Sequence, residues 1–291
     1  MLDLIGDNIW QTTGELPGPT LCVLGGVHGN ELTGIEVVKR ICADFASSAR
    51  GLQSGRLIMA FGNPLAIEQG TRFVDGRDLN RYFTDTHLLG ILDGSIEESR
   101  AKELAQVIQQ SDITVDIHST NKPSMPFISS RVDSEHLQVY QWFNASVVLA
   151  DPNYVLAGEP ATTDEYADRM GRVGVCVEAG DAKDVTRITS VLQSINGLMT
   201  HMGLVNEPGG EHFTGHQVFT LCDSIVLTSS GFVFAEGRGA RSFESVLKGD
   251  VVGYAGKVPV LASADGVLVF PKLPEHQVLD KPLCYIAERT Q

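Results

Sequence analysis

Histidine and glutamate stand close together in the segment 25–31, which reads GGVHGNE. His28 and Glu31 are three positions apart, directly after a short apolar run at 21–24 and at the start of a helical pattern. From one tight loop or helical turn, an imidazole and a carboxylate at this spacing can bind the same ion. The pattern alone is weak evidence. The chain has eight histidines, so the probability that one such pair occurs by chance is roughly one half.

A second histidine follows the strongly apolar run 113–117, in the segment DIHST. Side chains alternate along a strand, so Asp116 and His118 share a face. Asp116 could then form a hydrogen bond with His118 and orient this histidine as a metal ligand. The alternative is a single histidine at a strand end with an ordinary hydrogen bond, and for this segment alone we favour that alternative.

A carboxylate ends a third apolar run, 173–177, in the segment VEAG. Burying Glu178 at this point is costly unless the side chain is paired or functional, which makes it a candidate general base. The alternative is a salt-bridged glutamate at a sheet edge.

The three motifs are stronger together than each is alone. Two histidines and one carboxylate, with one position left for water, form a catalytic zinc set. Another glutamate nearby can take a proton from that water.

The segment 71–83, TRFVDGRDLNRYF, is rich in groups that bind anions. An arginine with a neighbouring asparagine can hold a carboxylate through several donors. Another arginine can stabilise the oxyanion that forms when water attacks an acyl carbon. The alternative is a charged surface loop, which we favour for Arg77 and Asp78.

The elements that must position these groups follow an α/β pattern. Helical patterns at 31–45, 96–110 and 185–205 are interspersed with short apolar runs at 21–24, 57–61, 113–117, 147–149 and 173–177. This alternation predicts a mainly parallel mixed sheet flanked by helices. Beyond residue 205 short β-rich runs dominate, so we expect a hydrolase domain at 1–205 and a small all-β domain at 206–291.

Composition narrows the classes of partner and compartment. Lys and Arg number 22 against 36 Asp and Glu, a net charge of -14, which disfavours nucleic acid as a partner. The sequence contains no run of about 18 apolar residues, so we expect no membrane span. The first ten residues do not resemble a signal peptide. Five scattered cysteines without a C-x-x-C pair indicate reduced thiols and a cytoplasmic protein. The sequence leaves the oligomeric state open and allows a homo-oligomer.

In this order, the segments GGVHGNE, GNP, TRFVDGRDLNRYF, DIHS and VEAG resemble the succinylglutamate desuccinylase/aspartoacylase family. The core of that family is similar to the zinc carboxypeptidases, and the β-rich region after residue 205 resembles its C-terminal domain. The resemblance implies one Zn²⁺ per chain, with His28, Glu31 and His118 as its ligands. It also implies Glu178 as the catalytic base.

The resemblance also implies how the substrate is bound. Arg72 matches the arginine that polarises the acyl carbonyl, and Asn80 and Arg81 match the pair that holds the α-carboxylate. Aspartoacylases carry a tyrosine and an arginine that bind the side-chain carboxylate; Tyr166 and Arg169 stand slightly out of register with them. Only His276 stands near the place of a tyrosine from the second domain.

These residues predict zinc-dependent hydrolysis of the amide bond of a small N-acyl amino acid, similar to N-succinylglutamate or N-acetylaspartate. A carboxypeptidase acting on short peptides is an alternative on the same chemistry. A binding protein that kept the scaffold without catalysis is another, although all four of His28, Glu31, His118 and Glu178 are present.

Overall fold

The computed structural model describes residues 2–47, 50–90 and 94–290. The strands are β1 Asp3–Gly6, β2 Ile9–Thr13, β3 Leu16–Gly25, β4 Ser54–Phe61, β5 Ile113–Thr120, β6 Phe127–Ser129, β7 Val147–Ala150, β8 Val173–Asp181, β9 Gln217–Val226, β10 Phe232–Phe234, β11 Glu244–Val246, β12 Val251–Ala255, β13 Val258–Leu261, β14 Gly266–Val269 and β15 Pro282–Arg289. The helices are α1 Leu32–Ala46, α2 Pro64–Gln69, α3 Asp85–Leu89, α4 Ile96–Gln109, α5 Ser134–Tyr140, α6 Thr163–Arg169 and α7 Arg187–His201, with 3₁₀ turns at Leu79–Arg81 and Pro274–His276.

The large sheet confirms the predicted fold class. Within the described residues it has twelve strands in the order β1-β2-β4-β3-β5-β8-β6-β7-β9-β15-β14-β11. The neighbours β4, β3, β5 and β8 run parallel, while β2 and β6 flank them in the opposite direction. The carboxyl ends of β3, β5 and β8 therefore meet at one edge of the sheet, where open α/β sheets bind ligands.

Helices cover both faces of this sheet. Leu21 and Val23 of β3 belong to an apolar cluster that includes residues of α1 and α7. Cys22 and Leu24, which point to the opposite face, belong to a second cluster with residues of α4 and α6. An apolar strand that packs on both faces forms a rigid platform for the loop that follows it.

Two glycines bring α1 close to the sheet beside that loop. A Cβ atom on Gly34 would lie 2.4 Å from the carbonyl oxygen of Ile117, and one on Gly25 would lie 2.2 Å from that of Gly34. Only glycine allows this approach. It places the start of α1 directly against the end of β5.

The C-terminal region adds antiparallel strands to the large sheet and a separate sheet of β10, β12 and β13. The large sheet crosses the expected domain limit near residue 206, because β9 pairs in parallel with β7. Helix α7 ends at His201, before the expected 205, and Gly203 follows it with a φ of 72°. The domain limit itself stays a prediction.

Candidate metal centre and active site

His28 and Glu31 lie in the turn that joins β3 to α1. The imidazole Nδ1 atom is 2.8 Å from Glu31 Oε1, and both side chains are buried. Glu31 stands at the N-cap position of α1 but makes no capping bond with its side chain. Its carboxylate is therefore turned away from the helix and toward the neighbouring strand end.

His118 reaches the same point from β5. Its Nδ1 atom is 3.2 Å from His28 Nδ1 and 3.1 Å from Glu31 Oε2. One ligand atom of each of the three residues lies within 4.8 Å of the others. The structure thus brings together the three residues that the sequence predicts as metal ligands.

The outer nitrogens of both imidazoles bond to carboxylates. His28 Nε2 is 3.0 Å from Asp78 Oδ1, and His118 Nε2 is 2.9 Å from Asp116 Oδ2. With hydrogens on these Nε2 atoms, both Nδ1 lone pairs face the space shared with Glu31. Facing N–H groups would repel one another there, whereas a cation satisfies both nitrogens and the carboxylate. The donor set therefore fits a divalent metal ion with hydrogen-bonded outer partners.

Charges in the cluster act strongly on its titratable groups. Burial raises the pKa of Glu31, but the charges of His28, Arg72 and His118 outweigh burial and hold it well below its usual value. Burial lowers the pKa of His118, but Asp116 and Glu31 raise it well above the usual value. A proton and a metal ion thus compete for this histidine.

Arg72 belongs to the cluster through an ion pair. Its Nη1 atom donates to Glu31 Oε1 at 2.5 Å, and its guanidinium lies over the Phe73 ring. The side chain keeps 26% of its exposure. A guanidinium that is partly open to solvent beside a candidate metal site can donate to a bound oxyanion.

Glu178 lies on β8 directly across from His118 in the strand register. Its Oε2 atom is enclosed and has no hydrogen-bond partner in the described part of the chain. Burial and the charge of Glu31 raise the pKa of Glu178 to about 7, against the opposing charges of His118 and other cations. A carboxyl group near its midpoint at neutral pH suits proton transfer.

Asp78 corrects one interpretation of the sequence. We favoured a surface loop for it, but its Oδ1 atom accepts from His28 Nε2 and from the backbone N–H of Asn80. Burial raises its pKa, and the charge of His28 outweighs burial and lowers it. Its position before the turn at Leu79–Arg81 is typical of a capping aspartate, the only signal available for it. Arg77 is exposed, as expected.

Asn80 and Arg81 follow in that 3₁₀ turn. Asn80 is buried and its Oδ1 atom accepts from the backbone N–H of Thr163 at 3.0 Å. Arg81 Nη1 donates to the carbonyl oxygen of Asn80 at 2.7 Å. The turn therefore places an amide and a guanidinium next to the loop that carries Asp78.

Tyr166 and Arg169 have other contacts. Tyr166 is buried against Phe83, and the guanidinium of Arg169 lies over the Tyr166 ring. Arg169 Nη2 donates to the carbonyl oxygen of Phe83 at 2.8 Å and forms an ion pair with Asp85. Among the residues that the structure describes, neither side chain contacts the metal cluster. Their role in substrate binding stays a prediction.

Two residues of the C-terminal region, Lys272 and Tyr285, lie within range of the charge of Arg81, and the sequence singled out neither. Burial lowers the pKa of Lys272, and the charges of Arg72 and Arg81 lower it further. Burial raises the pKa of Tyr285, which the charge of Arg81 opposes, and its hydroxyl donates to Leu156 O at 3.3 Å. His276, which we noted in place of a family tyrosine, is exposed.

Similarity to known proteins supports the resemblance seen in the motifs. A family model described as "Succinylglutamate desuccinylase/Aspartoacylase catalytic domain" matches residues 17–201, more than half of the chain. The N-alpha-acetyl-L-2,4-diaminobutyric acid deacetylase of Halomonas elongata is 26% identical over 93% of this chain and 82% of that protein. The succinylglutamate desuccinylase of Pseudoalteromonas atlantica is 29% identical over 57% of this chain, and this match spans only 52% of the relative's length.

Among solved structures, the succinylglutamate desuccinylase of Chromobacterium violaceum superposes with a TM-score of 0.77 at 20% identity. The superposition covers 100% of this chain and 91% of that one. Both regions of the chain thus share one fold with that protein. No helix in the described ranges is long and apolar enough to cross a membrane.

Proposed function

This chain belongs to the succinylglutamate desuccinylase/aspartoacylase family, and on that premise we propose that it is a zinc-dependent hydrolase of small N-acyl amino acids. The observation that carries the proposal is the convergence of two imidazole Nδ1 atoms and the Glu31 carboxylate beside the unpartnered Glu178 oxygen. A metal set and a candidate base at neighbouring strand ends match the requirements of amide hydrolysis.

His28, Glu31 and His118 would hold the ion. Two nitrogen ligands and one carboxylate favour zinc, although such a set also accepts cobalt or manganese. When bound, zinc lowers the pKa of water toward neutrality and polarises a carbonyl group. Asp78 and Asp116 fix the two imidazole rings through their Nε2 atoms, so that the ligands are oriented before the ion binds.

Glu178 is the residue that we assign as the proton carrier. Its carboxylate accepts one proton from the attacking water, whose oxygen bonds to the acyl carbon. The same carboxyl group then gives this proton to the amide nitrogen as the carbon–nitrogen bond breaks. A carboxylic acid and a free amine leave. Arg72, beside Glu31, donates to the oxygen on which negative charge develops.

Cations in the site recognise the amino-acid part of the substrate. The chain as a whole carries a charge of -14, so an anionic substrate needs a local positive field. Arg72, Arg81 and Lys272 supply one, since each of the two arginine charges acts on Lys272. We assign the α-carboxylate to Asn80 and Arg81.

The C-terminal region favours small substrates over peptides. The charges of Arg72 and Arg81 act on Lys272 of this region. Lys122 Nζ donates to the carbonyl oxygen of Gly239 at 2.5 Å. A C-terminal region that is anchored beside the site in this way restricts the space for a long peptide. The cysteine pattern, typical of reduced thiols, makes the cytoplasm the location in this proposal.

Amine release from a substrate panel tests the proposal. The panel contains N-acetyl and N-succinyl amino acids and short peptides, each with and without a chelator. We expect release from an acylated amino acid that the chelator abolishes. Cleavage of peptides alone would replace the proposal with a carboxypeptidase, and silence across the panel from zinc-loaded protein would favour a binding protein.

A further inference from the structure

The two histidines of the metal centre are joined by a hydrogen-bonded path through the substrate loop. The first half runs from His28 to Asn80. His28 Nε2 and the backbone N–H of Asn80 both bond to Asp78 Oδ1, each at 3.0 Å. The metal ligand and the candidate carboxylate-binding residue thus share one acceptor atom.

The second half runs from Asn80 to His118 through a residue of α6. The backbone N–H of Thr163 donates to Asn80 Oδ1 at 3.0 Å, and its hydroxyl donates to Asp116 Oδ2 at 2.5 Å. His118 Nε2 bonds to the same Asp116 oxygen at 2.9 Å. Thr163 is therefore the point where the metal side and the substrate side of the site meet.

Burial makes both bonds of Thr163 hard to replace. Thr163 and Asp116 are each 0% exposed, so water cannot take over either role. The second carboxylate oxygen of Asp116, Oδ1, has no partner within the described residues. Hence the Thr163 hydroxyl and His118 supply the hydrogen bonds that hold this carboxylate in place.

The backbone bond fixes which way the Asn80 amide points. An N–H group can only donate, so the atom of Asn80 that faces Thr163 must be oxygen. The amide nitrogen is then the group left to donate to an anion. This orientation is the one that a substrate carboxylate requires.

The start of helix α6 does not depend on the Thr163 hydroxyl. The capping box of α6 is formed by Thr162 and Glu165, with bonds in both directions. The Thr163 hydroxyl is thus free of the helix start and is directed to Asp116 instead. Thr162 offers a matched control for any loss of helix stability.

We infer that Thr163 is a positioning residue that couples the metal centre to the carboxylate-binding turn, through its hydroxyl to Asp116 and His118 and through its N–H to Asn80. The inference rests on the proposed function for the identity of the metal and substrate sites. Because the two bonds come from different atoms, a side-chain substitution cuts the metal branch and leaves the substrate branch intact.

Zinc affinity, measured by competition with a chromogenic chelator, separates these branches. For Thr163→Val we expect zinc binding about tenfold weaker than in the wild type, the lower end of the range for direct partners of metal ligands, because Thr163 acts on His118 through Asp116. Thr163→Ser keeps the hydroxyl and should bind zinc within about threefold of the wild type. Thr162→Val should melt at a lower temperature and keep its zinc affinity.

Kinetics on the same variants give a second readout. Thr163→Val should lower kcat at saturating zinc and leave KM for the acylated amino acid close to that of the wild type, because the N–H to Asn80 remains. Should the valine variant not fold, Thr163→Ala removes the same hydroxyl and takes its place. Equal zinc affinity in the valine and wild-type proteins, or a serine variant as weak as valine, would overturn the inference.

The failure of this inference differs from that of the proposed function. A wild type that hydrolyses acyl amides with zinc while the valine variant binds zinc equally well overturns only the role of Thr163. A wild type that binds no zinc overturns both.

Discussion

His28 and His118 present the same ring atom, Nδ1, to one another at 3.2 Å, although 90 positions of sequence separate them. Each ring is held from behind by an aspartate at its Nε2 atom. The two rings come from the ends of adjacent parallel strands, β3 and β5. The sheet thus fixes the distance between them, and the aspartates fix their rotation, which is what a preorganised metal site requires.

Glu178→Gln separates catalysis from metal binding. The amide keeps the size of the side chain but cannot accept the proton from water. We expect kcat to fall about 10² to 10⁴ fold, with one zinc per chain retained in metal analysis. Glu68→Gln, which changes an exposed glutamate, is the control and should have wild-type kcat. Normal turnover in Glu178→Gln would remove this residue as the base.

Arg81→Ala tests recognition of the α-carboxylate. Loss of a charge-assisted hydrogen bond corresponds to about 1.5–3 kcal/mol, so KM for acylated amino acids should rise roughly 10 to 100 fold. Methyl esters of the same compounds should show little change. Arg77→Ala alters an exposed arginine of the same loop and serves as the control. Equal losses on acids and esters would contradict the assignment.

Lys272→Met tests whether the C-terminal region takes part in specificity. Arg72 and Arg81 act on this ammonium group unfavourably, so an anion between these cations is stabilised by all three. Loss of a charge-assisted hydrogen bond corresponds to about 1.5 kcal/mol or more, so we expect KM to rise on the order of tenfold for substrates with a second carboxylate and less for those with only an α-carboxylate. Lys281→Met, at an exposed position, should leave KM unchanged. The same rise in KM for both substrate types would count against this role.

His136 links stability to pH away from the active site. Its ring bonds to Asp133 Oδ1 at 2.7 Å and to Asp168 Oδ1 at 2.8 Å. Burial lowers the pKa of His136, but these hydrogen bonds raise it above the usual value. Its stabilisation is therefore complete below a pH of about 6.5 and is lost as the pH rises through the folded-state pKa.

Urea denaturation of the wild type and His136→Gln measures this contribution. The variant should be less stable by about 1–3 kcal/mol at pH 5.5, and the difference between the two proteins should shrink at pH 9. Other groups titrate in both proteins and cancel in that difference. A difference that is the same at both pH values would contradict a charged His136 between two carboxylates.

The strand-end part of the site could be predicted from sequence because its signals are local. His28, His118 and Glu178 each follow an apolar run that became a strand, β3, β5 or β8. Parallel neighbours bring such ends to one edge. The spacing of His28 and Glu31 likewise reports a single turn. The sequence on either side of these residues is therefore enough to predict where they lie in the fold.

The remaining contacts depend on distances that no local pattern encodes. Asp78 meets His28 across 50 positions and Thr163 meets Asn80 across 83. Lys272 comes from a region beyond the predicted domain limit, where the sequence offered only short β-rich runs. The hairpin of β1 and β2 was not predicted either, since exposed and polar residues interrupt its apolar pattern.

Restoring activity to metal-free protein tests the central claim most directly. Amine release from an N-acyl amino acid is measured while zinc is added in steps to the wild type, His118→Ala and the control His212→Ala, whose histidine is exposed. We predict that the wild type and His212→Ala regain full activity at one zinc per chain, and that His118→Ala gains none at that ratio. Full activity of His118→Ala at one zinc per chain, or of the wild type before zinc is added, would contradict the account.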